Sequence, residues 1–437
     1  MAVTAAEKDP LDLTGTIARD LIRFDTSNYG DGRSRGEDQA AGYVEAFLQR
    51  LGVETTCYEP EPGRTSVVAR VRGRNPGRGA LLAHGHLDVV PAETDGWHVD
   101  PFGGEIHDGV LWGRGAVDMK NMNAMILASL EAMLSTGRTP DRDLVLAFLA
   151  DEEDGGRIGA HHLVDNHPGL FAGATEAISE VGGYSIDIRG RRAYLVQTAE
   201  KSLIWLRLTA TGEPGHGSRV IKDTAVLQLA EAIARLGNHE WPIELTRTTE
   251  ALVSALASLL GTQASPGDAE SIVLASGASG FIHGSLKTTA NTTVIRGGAK
   301  HNVIPAYAEA LVDVRTLPGG EDRVIKAIQS IVGTNIRVEV LKRLDGIEAP
   351  NTGRLMETMS RAILDHDPGA TVIPYLMPGG TDNKAFAKLG IAGYGFVPLQ
   401  LPPSFDFAGM FHNENERVPL ESLSKGTSVL TQLLLQA

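Results

Sequence analysis

His86, Asp88, Asp118, Glu152, Glu153 and His412 are the residues of this chain whose types and spacing best suit chemistry. They are imidazoles and carboxylates, and most stand where an apolar run ends. Ala80-Leu81-Leu82-Ala83 runs into His84-Gly85-His86-Leu87-Asp88, and Leu144 to Ala150 runs into Asp151-Glu152-Glu153-Asp154. Desolvating a charged side chain is costly, so several of them at the ends of buried strands require a partner. A pair of divalent metal ions is the partner that best suits mixed His and carboxylate ligands.

His86 and Asp88 are two apart, which on a strand points both to one face. A metal-bound imidazole usually donates its second N–H to a carboxylate, and Asp88 can fill that role. The bland reading is a solvated pair in a loop. Glu152 and Glu153 are adjacent and cannot face the same way on a regular strand. One can bind metal while the other faces substrate as a base, its pKa raised by like charge and desolvation. Taken alone, the four acids read equally well as a surface turn. They do not fit a calcium loop, because Gly155 occupies the fifth position. Glu180 and His412, taken alone, read as ordinary polar residues. Two motif matches fail on context. Gly32-Arg33-Ser34-Arg35-Gly36 has the esterase spacing but no expected preceding strand. Gly113 to Asp118 resembles a dinucleotide loop, yet Asp118 would repel a pyrophosphate and would suit a metal.

The elements that position these residues follow from periodicity. Glu37–Leu51 carries a helical apolar stripe closed by Gly52. Met119–Leu134 is a second helix, with Asp118 expected at its N-cap. Strands are expected at 53–58, 66–71, 144–150 and 177–179, with a short helix near 158–164. Apolar strands alternating with helices imply an α/β, doubly wound, mostly parallel sheet covered on both faces. The style then changes to strands with two distinct faces at Leu203–Leu208 and Ala306–Val314, interleaved with helices near 224–236, 250–260 and 323–332. From about Ile347 the α/β style returns, with a helix expected at Thr352–Leu364. The expected organisation is a discontinuous catalytic domain, 1–192 and 347–437, with an inserted α+β domain at 193–346.

Composition bounds the partners. The chain has 437 residues, 42% hydrophobic and 22% charged, with a net charge of −14 and no basic block, which argues against nucleic acid. Its single cysteine, Cys57, allows no intrachain disulfide and is expected to pack inertly in a strand. Met1–Pro10 has no apolar signal region, and no apolar run approaches a membrane span. A cytoplasmic protein that does not enter membranes is the expectation.

Together these segments resemble the dinuclear zinc family of acetylornithine deacetylase, succinyl-diaminopimelate desuccinylase, aminoacylase and glutamate carboxypeptidase. The matching pieces are His84–Pro91, Gly113–Lys120, Asp151-Glu152-Glu153, Ser179-Glu180, Gly215–Ser218, Asn302–Pro305, Asp313–Gly319, Gly379–Asp382 and Phe411-His412, in the family's order. The resemblance implies two zinc ions per subunit, with cobalt or manganese suiting the same ligands. It implies that Asp118 bridges the ions, that His86 and Glu180 complete one site, and that Glu153 and His412 complete the other. Asp88 would orient His86, and Glu152 would be the general base. The inserted domain would be a lid and homodimerisation domain. His216 would reach the partner subunit's site to stabilise the oxyanion. Asn302, Arg315, Gly380, Thr381 and Lys384 would hold the substrate, with Arg315 on its carboxylate. Many members carry Arg where this chain has Lys384, which cannot make the flat two-pronged contact.

These readings converge on a metallohydrolase cleaving an amide bond in a small substrate with a free carboxylate, either a peptide or an N-acyl amino acid. Lys384 and a long insertion, with Trp241 to Gly284 as extra material, favour a peptidase over a deacylase. A non-catalytic metal-binding dimer is the competing class, opposed by Glu152 standing beside Glu153. A dinuclear phosphoesterase would need a cationic phosphate clamp, and no Arg/Lys cluster adjoins the ligands in the sequence.

Overall fold

The structure is a computed structural model that describes residues 11–277 and 280–437. The leader expectation for Met1–Pro10 lies outside the described residues, as do residues 278 and 279 of the long insertion Trp241 to Gly284. By compactness the chain forms two units. The first comprises 1–196, 352–372 and 385–437, and the second comprises 197–351 and 373–384.

The first unit is built on a mixed sheet. Its strand order is Tyr184–Ile188, Arg191–Glu200, Ala392–Gly395, Ala174–Ser179, Ala80–His86, Leu144–Leu149, Ser66–Val71 and Thr55–Tyr58. The central pairs are parallel: Ala80–His86 with Leu144–Leu149 and with Ala174–Ser179, and Ala174–Ser179 with Ala392–Gly395. The outer pairs at both ends are antiparallel. Every residue of Ala80–His86 and Leu144–Leu149 is buried, which is why these runs read as continuous rather than alternating.

Both faces of the sheet are covered. On one, Leu82, Val145, Ala147 and Leu149 pack with Ala160, Leu163 and Val164 of the helix Ala160–Asn166 and with Phe171 and Phe386. The helix Lys120–Leu134 packs on the central strand Ala80–His86 and against the helices Leu13–Ile22 and Leu420–Gln436. A fully buried Leu or Phe of this kind contributes roughly 1.5–3 kcal/mol. Parallel strands bury their middles and leave their C-terminal ends as the place where polar side chains can emerge together.

The second unit holds a four-stranded antiparallel sheet in the order Thr289–Gly297, Tyr307–Arg315, Leu203–Thr211 and Ile336–Leu344. Here alternation rules. Ile204, Leu206, Leu208 and Ala210 turn to a core shared with Val312, Val314 and the helices Ala225–Gly237 and Glu321–Val332. Trp205, between Ile204 and Leu206, is exposed on the opposite face.

Several local expectations need correction. The helix after Asp118 begins at Lys120 with Met119 as its N-cap, and no side chain caps it, because the Asp118 carboxylate faces two imidazoles instead. The helix expected from Thr352 runs Arg354–His366 with Gly353 at its N-cap. A short strand, Asn28–Gly30, does precede Gly32–Gly36, but it pairs with Arg33–Ser34 as a tight hairpin, and Ser34 bonds the Ser27 carbonyl. Cys57 is exposed on the outermost strand rather than packed, with partial burial and Glu45 pushing its thiol up to about 11. Among the described residues, no helix is long and apolar enough to cross a membrane.

Candidate metal centre

His86 is the last residue of the central strand. Its neighbour Gly85 cannot be larger: a Cβ there would stand 2.4 Å from Asn123 Oδ1 and 2.6 Å from Met119 Cε. Asn123 also donates to the His86 carbonyl at 2.6 Å, so the helix Lys120–Leu134 fixes this strand end. His86 Nδ1 lies 2.9 Å from the Asp88 carbonyl oxygen, which leaves Nε2 facing Asp118 Oδ1 at 3.0 Å and Glu180 Oε2 at 3.5 Å. Glu180 follows directly on the strand Ala174–Ser179.

The other side of Asp118 faces a second group. His412 Nε2 stands 3.2 Å from Asp118 Oδ2 and 3.2 Å from Glu153 Oε2. Glu153 lies in the turn Glu152–Asp154 that ends the strand Leu144–Leu149, and Val90 N donates to its Oε1 at 3.2 Å. Within each triad, His86–Asp118–Glu180 and Asp118–Glu153–His412, the ligand atoms lie within 4.8 Å of one another. Asp118 belongs to both. The peptide between Asp118 and Met119 is cis.

The electrostatics fit divalent cations. Burial and the Asp118 charge push Glu180 up to about 8, and the same two causes raise Glu153. Hydrogen bonds to Asp118 and Glu153 push His412 up to about 10. Burial works against a charged His86, but Glu180 and Asp118 still hold it well above the usual imidazole range. Three carboxylates crowded around two imidazoles favour bound positive charge, which divalent cations would supply. Mixed N and O donors without thiolate suit zinc, cobalt or manganese.

Asp88 acts differently from expectation. Its carbonyl, not its carboxylate, contacts the His86 ring, since the closest carboxylate approach is 3.6 Å. The carboxylate instead accepts from Glu152 N at 3.1 Å, Glu153 N at 3.2 Å and Asn28 Nδ2 at 2.9 Å. Asp88 therefore orients the imidazole and the Glu152-Glu153 turn at once. Behind it, Asn28 also reaches Asp151 at 3.3 Å, and Arg64 ties Asp151 at 3.0 Å to Glu37 at 2.8 Å, all buried. Asp151 holds a left-handed backbone, φ 72°, that turns the chain after the strand. Asn28, Glu37, Arg64 and Glu416 were not singled out from the sequence. Their partners lie tens to hundreds of residues away, so spacing carries no signal of them.

The remaining expected site residues belong to the second unit. His216 pairs with Val303 across two short strands, and Gly217 N donates to the Asn302 carbonyl at 2.9 Å, so His216 and Asn302 are neighbours there. His216 is exposed, with Nδ1 2.8 Å from Ser218 Oγ. Arg315 ends its strand in a two-pronged pair with Asp313 at 2.7 and 3.1 Å. Thr381 donates through N and Oγ1 to the buried Glu200. The buried Lys384 ammonium, with Gly380 over its stem, points to the Lys201 carbonyl at 2.6 Å, the Asp345 carbonyl at 3.5 Å and Glu200 at 3.3 Å.

A mixed α/β sheet whose central strand ends bring His86, Glu153 and Glu180 to Asp118, with His412 added from a loop, is the architecture of a metal-dependent hydrolase of the metallopeptidase class. The chain belongs to the peptidase family M20/M25/M40, whose sequence profile matches residues 82–436. It is 27% identical to aminoacylase-1 of Mus musculus over 411 residues, covering 90% of this chain and 89% of that protein. It is 29% identical to the N-fatty-acyl-amino acid synthase/hydrolase PM20D1 of Xenopus tropicalis over 422 residues, covering 90% and 79%. In structure it is similar to the M20 family metallo-carboxypeptidase Sso-CP2 of Sulfolobus solfataricus, with a TM-score of 0.74 at 19% identity, covering 97% of this chain and 99% of that one.

Proposed function

We propose that this chain hydrolyses the amide bond of N-acyl amino acids, small substrates with a free carboxylate, and that it does so with two divalent ions, zinc being favoured by the ligand types. The observation that carries the reading is Asp118 shared between two ligand triads, one buried and one open toward solvent at His412, with Glu152 next to Glu153 of the second. His86, Asp118 and Glu180 would hold one ion, and Asp118, Glu153 and His412 the other. When bound, such ions act as Lewis acids toward a carbonyl oxygen and lower the pKa of water.

The chain's own residues supply the rest. Glu152 is the general base: it takes a proton from the attacking water and passes it to the departing nitrogen. Asp88 keeps Glu152 in place by gripping its main-chain N–H. His216 is proposed as the donor to the developing oxyanion, which such donors stabilise strongly. Asn302 and Arg315 are proposed to bind the substrate carboxylate, with Gly380 and Thr381 as further substrate contacts. Lys384 supports that role through Glu200, whose carboxylate also receives Thr381.

Two relatives matching nine-tenths of the chain support acylated amino acids over peptides, against the preference drawn from the long insertion and Lys384. A homodimer is also proposed. The sheet of the second unit ends on the strand Thr289–Gly297, where Ile295 is 65% exposed near the exposed Val226 of the helix Ala225–Gly237. Localisation in the cytoplasm remains part of the same proposal.

The test is mass-spectrometric hydrolysis of a mixed panel by zinc-loaded protein, with a chelated control. The panel holds dipeptides, tripeptides and N-acetyl, N-succinyl and long-chain N-acyl amino acids, with amidated copies of each. Chelator-sensitive cleavage confined to N-acyl members with a free carboxylate is expected. Cleavage of the peptides alone would overturn the substrate assignment, and chelator-insensitive cleavage would overturn the metal chemistry.

A further inference from the structure

Glu416 is fully buried, and its carboxylate collects four N–H donors. Oε1 accepts from Val117 N at 2.7 Å and Asp118 N at 3.0 Å, while Oε2 accepts from Gly115 N at 3.0 Å and Arg114 Nη1 at 2.8 Å. Three of these are consecutive or near-consecutive amides of the loop that ends in Asp118. That loop leaves the strand pairing after Gly113 and turns through Gly113 and Gly115, with φ of 153° and 89°. One carboxylate therefore does for this loop what a neighbouring strand would do elsewhere, by charge-assisted hydrogen bonds in a dry setting.

Glu416 also stands four residues after His412, on the same loop. His412 and Asn415 both have left-handed backbones, φ 57° and 58°, so the loop turns sharply twice between the ligand and the anchor. Its far side is pinned by Asn415, whose Oδ1 accepts from His98 N at 2.7 Å and whose Nδ2 donates to the Gly96 carbonyl at 3.0 Å. After Glu416 the chain enters the strand Arg417–Pro419, which pairs with Val110–Trp112, and Glu416 O accepts from Gly113 N at 3.0 Å. The main chain behind Asp118 and the loop of His412 are thus joined at Glu416, through its carboxylate at Gly115, Val117 and Asp118 and through its carbonyl at Gly113.

We propose that Glu416 is the positioning residue of the second half-site, fixing the Asp118 main chain and the His412 loop in one register so that the ion held by Asp118, Glu153 and His412 binds tightly. This rests on the dinuclear reading above. The first half-site depends on it less, because His86 and Glu180 are placed by strand ends.

The probe is Glu416→Gln in the full chain. The amide keeps the size, but its NH₂ must face N–H donors on one side, either Arg114 and Gly115 or Val117 and Asp118. Metal-free protein is titrated with Co(II) under chelator competition, following the visible spectrum and the two binding steps. The weaker step should fall about tenfold or more, the range for groups that orient metal ligands. The tighter step should change less, and kcat should recover at saturating metal with KM unchanged. A merely structural role would lower the melting temperature and leave the spacing between the two steps as it was. Arg114→Met, which removes one donor of the four, should give a smaller loss in the same step and serves if the Gln variant does not fold. Glu421→Gln, a surface residue paired with Lys425, is the unchanged control. Two steps in the unaltered chain and two unshifted steps in both variants would overturn the inference alone. Binding of one ion per unaltered chain at saturation would overturn the dinuclear reading and the inference with it.

Discussion

The two halves of the candidate metal centre share Asp118 and are otherwise built from different kinds of chain. His86 and Glu180 stand at or beside the ends of neighbouring parallel strands, and both are buried. Glu153 lies in a single tight turn, and His412 on a loop with a left-handed backbone, its side chain 57% exposed. Strand ends are placed by the core and cannot shift without disturbing it, whereas a loop ligand is held only by local hydrogen bonds. The difference points to one preorganised half and one adjustable half, the second closer to solvent.

The hardest test of the shared design is to remove the shared ligand. Asp118→Ala should abolish binding of both ions and all activity, whereas Glu152→Ala should keep both ions and lose at least about a hundredfold in kcat, the general-base range. Metal content after dialysis, read beside turnover, separates the two. One full-occupancy ion retained in the Asp118 variant would mean that the halves do not depend on a common carboxylate. Near-normal turnover in the Glu152 variant would remove it as the base.

The same contrast explains what could be read from the residues alone. His86, Asp88, Glu152 and Glu153 announce themselves because each follows an apolar strand, and a burst of charge after buried residues has few readings. Glu180 follows only the short expected strand 177–179 and His412 follows none, and their place in an ordered series of motifs is what marks them. Orientation was less legible than identity. Asp88 was expected to meet His86 through its carboxylate, yet the carboxylate serves two amides of the Glu152-Glu153 turn, a contact across 64 and 65 residues. Glu416, four residues after His412, carries no signal in the sequence, because its four donors lie about 300 residues earlier. Lys384 looked like a weakened substrate clamp, and its buried ammonium instead faces Glu200 and two carbonyls. Periodicity placed the elements well, but the helix after Asp118 starts uncapped because that carboxylate faces two imidazoles, and the helix expected from Thr352 starts after Gly353, whose φ is 103°.

A middle-sized effect comes from removing one imidazole at a time. His412→Ala should lose one ion and keep the other, with the tighter step changed far less than the weaker one, because His86 and Glu180 stay in place and the two halves are coupled only through Asp118. His86→Ala should weaken both, because it leaves the buried Asp118 and Glu180 carboxylates facing each other uncompensated, and it should also lower the melting temperature of the metal-free protein. Equal losses in the two variants, by stoichiometry and by melting, would erase the distinction between a preorganised and an adjustable half.

The smallest expected effect is a difference in pH dependence between the halves. In the metal-free chain Glu180, in the first half, is raised from 4.5 to about 8 by burial and Asp118, while His412, in the second, is raised from 6.5 to about 10 by its bonds to Asp118 and Glu153. Both groups bind protons more tightly folded than unfolded. The stability this provides is complete below their unfolded values and is lost as pH rises through about 8 for Glu180 and about 10 for His412. Divalent ions replace those protons, so chelated protein should melt lower with each step from pH 5 to 9 while metal-loaded protein should not. Binding should release protons, and the enthalpy in buffers of different ionisation heat should show it. Affinity of both halves should rise with pH across this window, since Glu180 and His86 in the first and His412 in the second must all give up protons to a cation. A chelated melting curve that is flat over this window would mean that the crowded carboxylates are not what holds the protons, and the electrostatic case for a cation at both halves would lose its footing.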